Sequence, residues 1–68
     1  MELNKFIKEK RQSVSLTQPQ LAEKAGVGLR FIRELEQGKE TLRLDKVNQV
    51  LKLFGYQVGA VEMKREQL

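Results

Sequence analysis

The sequence predicts an all-α domain of four short helices, followed by one short β-strand that pairs across a dimer. Three observations carry that expectation. Apolar residues recur at helical spacing in four separate stretches between Leu3 and Phe54. Gly26, Gly38 and Gly55 close the second, third and fourth of these stretches, as helix stops do. After Gly55 the pattern changes to Tyr56-Gln57-Val58-Gly59-Ala60-Val61-Glu62, rich in β-branched and aromatic residues and short of helix formers.

The first helix is expected over Leu3 to Ser13, with Leu3, Phe6, Ile7 and Val14 on one face and Lys5, Lys8, Glu9, Lys10 and Gln12 around the rest. Ser13, Val14 and Ser15 then weaken it, because hydroxyls compete with the backbone ladder and β-branching lowers helix propensity. The second helix has the clearest start. Thr17 serves as N-cap, Gln20 three residues on completes a capping box, and Pro19 in the first turn forfeits only an orphan N–H. Leu16 and Leu21 flank the cap as a hydrophobic staple, and Leu21, Ala22 and Ala25 face inward. The third helix runs from about Gly28 to Gln37 with Val27, Ile32 and Leu35 as its buried stripe. Leu29, Arg30, Arg33 and Glu34 fall on its other faces. Asp45 is expected to cap the fourth helix, where Val47, Val50, Leu51 and Phe54 recur at helical spacing.

A strand at 56–62 has nothing else in the chain to pair with, and an isolated strand is not independently stable. Pairing of Tyr56, Gln57, Val58, Gly59, Ala60 and Val61 with the same strand of a second copy satisfies it; the alternative is a frayed tail. The chain therefore divides into a helical unit at 1–55, a dimerisation strand at 56–62 and a disordered tail at 63–68.

Composition narrows the function. The 68 residues make one domain, and below roughly 70–80 residues a core rarely supplies more than about 3–5 kcal/mol. Cys and His are both absent, so neither a disulfide nor a structural zinc site is expected, and a partner chain is the natural extra stabiliser. The same absences remove the commonest acids, bases and nucleophiles, so no catalytic residue and no cofactor is expected. Lys and Arg outnumber Asp and Glu by 13 to 9, a balance that favours an anionic partner. No apolar run approaches the roughly 18 residues that span a membrane, and the first residues lack a signal-peptide core, so a cytoplasmic protein is expected.

Two short amphipathic helices joined at Gly26 form a helix-turn-helix, whose second helix has the right size for the major groove of DNA. On such a helix the N-terminal residues reach base edges, here Gly28, Leu29, Arg30 and, one turn on, Arg33 and Glu34. Arg30 and Arg33 suit guanine or, alternatively, phosphates; Leu29 suits a thymine methyl. Unpaired N–H groups at the start of the second helix favour a phosphate, and Lys39, Thr41 and Arg43 in the following loop are further clamps or plain surface residues. A dimer would present two such helices to an inverted-repeat operator.

The run from Lys8 to Phe54 resembles the Xre-like helix-turn-helix domains of phage Cro and repressor proteins, a lambda-repressor-like fold. The matching residues are Leu-Thr-Gln-x-x-Leu-Ala-x-x-Ala-Gly-Val at Leu16 to Val27 and Ile-x-x-Leu-Glu-x-Gly at Ile32 to Gly38. The resemblance implies a sequence-specific, double-stranded DNA-binding repressor, with phosphate contacts at Thr17 and Gln18. It also implies a buried ion pair between Arg11 and Glu36, consistent with the fork an Arg offers a carboxylate. Gly28 and Phe31 depart from the family pattern; Phe31 is read as core in preference to a wedge against DNA. The strand after the fourth helix looks like HipB-type antitoxins, which implies a toxin–antitoxin operon, autoregulation and a HipA-like kinase toxin as second partner. A stand-alone phage-type repressor and a coactivator-like protein-binding module are the alternatives.

Overall fold

Thr17 sets the entry to the second helix through both halves of a capping box: its Oγ1 accepts from the Gln20 N–H at 3.2 Å, and its own N–H donates to Gln20 Oε1 at 2.9 Å. The computed structural model describes residues 2–63 and contains four helices, α1 (Leu3–Ser13), α2 (Gln18–Ala25), α3 (Leu29–Glu36) and α4 (Leu44–Lys52). The first matches its expected span. The third is one residue shorter at each end, because Gly28 and Gln37 act as its flanking caps. Gly26 closes α2 at φ +73°, a left-handed conformation that costs a glycine nothing and any other residue roughly 1–2 kcal/mol.

All four helices contribute to one core. Ile7, Leu21, Ala22, Ile32, Leu35, Val47, Val50 and Leu51 are buried, and Leu3, Phe6, Leu16, Ala25, Val27, Phe31 and Phe54 pack partly buried around them. Emptying one such site by a Leu→Ala or Ile→Ala change costs about 2–5 kcal/mol. Helix α3 packs on both α1 and α2, and α4 closes against α2. This places the start of α3 next to the α2–α3 turn while its last turn sits against α1.

Two expectations need correction, and a third depends on a second chain. Asp45 is not the cap of α4: Arg43 is the N-cap residue, and Asp45 lies in the first turn. Its carboxylate turns back to Arg43, yet still sits at the positive end of the helix dipole. Val14 is not on the buried stripe of α1; it is the C-cap residue and is 53% exposed. The chain turns there through Ser15 at φ +58°, in the left-handed region, so the helical register that would bury Val14 is lost.

The third expectation, a strand at 56–62, is not met within one chain. Among the described residues this segment forms no strand. A strand exists by its ladder, and one chain by itself supplies no neighbour. The segment is held by other contacts: the Tyr56 N–H donates to Leu51 O at 3.0 Å and the Val58 N–H to Asn48 Oδ1 at 2.8 Å. The Tyr56 ring stands edge-on to Phe6 with centroids 4.9 Å apart, and Lys10 Nζ lies 5.3 Å and 5.5 Å from the two rings. Of the expected tail at 63–68, residues 64–68 lie outside the described residues. No helix among those described is long and apolar enough to cross a membrane.

Candidate nucleic-acid interface

Helix α3 has two unlike edges. Its inner edge, Ile32 and Leu35, is fully buried. Its outer edge carries Arg30, whose side chain is 92% exposed, with Arg33 exposed one turn on. Arg33 takes part in none of the ion pairs among the described residues, so its guanidinium fork is open. Glu34 sits between two cations: its Oε2 is 3.2 Å from Lys39 Nζ and 3.6 Å from Arg30 Nε. With Arg N-terminal to Glu at i,i+4, the second of these runs against the helix dipole and is the weaker arrangement. Leu29 differs from its expected place, because it packs partly buried against the core; only its remaining surface faces outward. Gly28 is exposed as the N-cap residue, with open space where a Cβ would stand. Phe31 is half-buried against the core, as expected for a packing residue.

The start of α2 offers fewer backbone donors than its bare sequence suggests. The Thr17 and Gln20 N–H groups are consumed by the capping box, and Pro19 has none. The Gln18 N–H and the Thr17 hydroxyl hydrogen are what remains for an anion there. In the loop beyond α3, Thr41 is exposed. Lys39 is paired with Glu34, and Arg43 holds Asp45 with two hydrogen bonds of 2.6 Å and 3.2 Å. That Arg43 contact keeps the Asp45 carboxyl below its ordinary value of 3.8, against the opposing effect of burial. Both basic clamps expected in this loop therefore carry an acidic neighbour that an incoming phosphate must share or displace.

Behind the outer edge lies the ion pair. Arg11 Nε donates to Glu36 Oε2 at 2.7 Å and Arg11 Nη2 to Glu36 Oε1 at 3.0 Å. The side chains are 12% and 4% exposed. Arg11 Nη1 also donates to Leu16 O at 2.8 Å, so one guanidinium ties α1 to the lead-in of α2 and to the end of α3. Hydrogen bonding to Glu36 raises the Arg11 pKa above its already high value, against the opposing effect of burial. Such a bidentate, charge-assisted contact is the strong kind.

Sequence reasoning missed a fourth member of this group. Gln18 Nε2 donates to Glu36 Oε1 at 3.2 Å, across 18 residues of chain. No local spacing announces that contact. The Lys10–Phe6–Tyr56 cluster was half legible: Phe6 and Lys10 are one helical turn apart, but the arrival of Tyr56 beside them depends on where α4 ends.

Comparison with known proteins agrees with this geometry. Residues 7–60 match the helix-turn-helix family. A protein of Sinorhizobium fredii named "uncharacterized HTH-type transcriptional regulator y4mF" is 44% identical over 54 residues, which is 79% of this chain and 71% of that protein.

Proposed function

We propose that this chain, which belongs to the helix-turn-helix family, is a sequence-specific double-stranded DNA-binding transcriptional regulator that acts in the cytoplasm as a repressor. The observation that carries this reading is the division of α3, with Ile32 and Leu35 fully buried and Arg30 and Arg33 turned to solvent. The outer edge enters the major groove. Arg33 and Arg30 read base edges, or brace against phosphates, with Gly28 letting the backbone approach. Gln18 and Thr17 meet a phosphate on one side of the groove; Lys39, Thr41 and Arg43 do so on the other.

The repressor is a homodimer in this reading. Tyr56 is 47%, Val58 38% and Val61 85% exposed, an amount of apolar surface that supports pairing of 56–61 between two copies. Two recognition helices then address an inverted repeat with half-sites about one turn apart, roughly 34–36 Å. The antitoxin role, with a HipA-like kinase toxin as partner, extends this reading and rests on the resemblance of the tail alone. The chain has no catalytic role in this account.

The test is a footprint of the purified protein on DNA upstream of its own gene, with its mass in solution measured in parallel. A protected inverted repeat and a dimer mass are expected. A monomer indifferent to duplex DNA contradicts both halves, and favours the protein-binding alternative.

A further inference from the structure

The Gln18 amide has two ends, and chemistry settles which end faces inward. Glu36 Oε1 belongs to a carboxylate that already holds Arg11 and is an acceptor only. The NH2 end of Gln18 must therefore point at Glu36, as the 3.2 Å contact has it, with the amide oxygen turned the other way. One hydrogen of that NH2 group is engaged and the second is left over. A phosphate is also an acceptor only, so it can use the same NH2 group and not the carbonyl. A free glutamine on a helix surface samples many rotamers and presents either end; this one has a partner that selects its NH2 end.

We infer that Arg11 and Glu36 are positioning residues for the phosphate contact at Gln18, in addition to holding the helices together. Arg11 orients the Glu36 carboxylate through two hydrogen bonds, and Glu36 orients the Gln18 amide through a third. The three side chains come from α1, α3 and the first residue of α2. The network delivers one N–H donor at the edge of the recognition helix without the entropy cost of freezing a mobile side chain on binding. This inference rests on the reading that Gln18 meets a phosphate, and the experiment below separates the two.

The experiment measures affinity for a mixed-sequence duplex of about 30 base pairs at low ionic strength, where backbone contacts dominate. Four proteins are compared: the natural chain, Gln18→Ala, the pair replacement Arg11→Met with Glu36→Leu, and the triple variant. Replacing a buried pair by apolar residues of similar volume leaves no stranded charge, so the pair replacement is expected to stay folded, with a melting curve to check it. Gln18→Ala is expected to weaken binding about tenfold in the natural background, the scale of one hydrogen bond to a charged group. In the pair-replaced background the same change is expected to cost no more than about twofold, because the amide is no longer held.

An equal loss in both backgrounds overturns the positioning role and leaves the phosphate contact standing. No loss in either overturns both. Absence of duplex binding by the natural chain overturns the DNA-binding reading itself. If the pair-replaced protein proves unfolded, the natural chain still decides by nuclear magnetic resonance of its side-chain amides. The expected result is one Gln18 amide hydrogen shifted downfield and slowed in exchange with water in the free protein, as its bond to Glu36 requires, and the other moving on addition of the duplex. Shifts and exchange rates like those of the exposed Gln37 contradict it.

Discussion

Glu34 and Glu36 are the same residue type, two positions apart on one helix, and the fold uses them in opposite ways. Glu36 is 4% exposed and accepts two hydrogen bonds from Arg11 and one from Gln18. Glu34 is 27% exposed and shares looser contacts with Arg30 and Lys39. The difference comes from helical rotation. Two residues turn a helix by about 200°, which carries one carboxylate to the α1 side and leaves the other at the rim. The inner edge of α3 thus belongs to stability and the outer edge to whatever the helix meets.

The largest expected effect lies at the inner edge. Glu36→Ala leaves the part-buried Arg11 guanidinium without its counter-charge, at a cost approaching that of a broken buried pair, about 3–5 kcal/mol. That is comparable to what a core of this size supplies, so the variant is expected to be largely unfolded at room temperature by circular dichroism. Glu34→Ala is expected to cost less than about 1 kcal/mol, a few degrees in melting temperature at most. Similar losses in both variants would erase the distinction between the edges.

Next in its effect on stability is the cap that starts α2. Thr17→Ala removes the acceptor of the Gln20 N–H and is expected to lower stability by about 1 kcal/mol, read as a shift of roughly 4–8 °C in the thermal midpoint. Thr17→Ser should recover most of it, since the hydroxyl is restored.

Arg33→Ala sharpens the comparison from the other side. Stability should stay within about 0.5 kcal/mol, because the side chain is exposed and in no ion pair among the described residues. Discrimination at one base pair per half-site should fall by about 1–3 kcal/mol, measured by competition among operator variants. Gln18→Ala, by contrast, should weaken every sequence alike.

The smallest effect is acidic. Arg43 holds Asp45 below its ordinary 3.8, so the pair stabilises the folded chain above that value. The contribution is lost as pH falls through the lower, folded value. Both side chains are largely exposed, at 68% and 60%, so solvent and salt screen the interaction. Asp45→Asn should therefore leave the melting curve nearly unchanged at neutral pH and flatten only its acid limb.

The helices were legible because their signals are local. Thr17 with Gln20 and Pro19, and the left-handed Gly26, state their business within a few residues, and the buried stripes follow from spacing alone. Arg11 with Glu36 was not legible from spacing; it came through family resemblance and was then matched by two short hydrogen bonds. What failed depends on competition. Asp45 is a good cap by type, but Arg43 stands two residues before it and claims the carboxylate. Val14 fits the apolar period of α1, but the turn at Ser15 ends that period one residue earlier. The strand at 56–62 is a different case: it needs a neighbour that a single chain lacks, and within one chain its first residues rest on Phe6, Leu51 and Asn48.

The outer edge of α3 as the DNA-reading surface is tested most directly by duplex affinity as a function of salt, for the natural chain and for Arg30→Ala with Arg33→Ala. The natural chain is expected to lose affinity steeply as salt rises, as several phosphate contacts demand. The double variant should bind more weakly with a shallower slope and melt at an unchanged temperature. Superimposable curves for the two proteins, or a natural chain that ignores duplex DNA at low salt, would contradict the account.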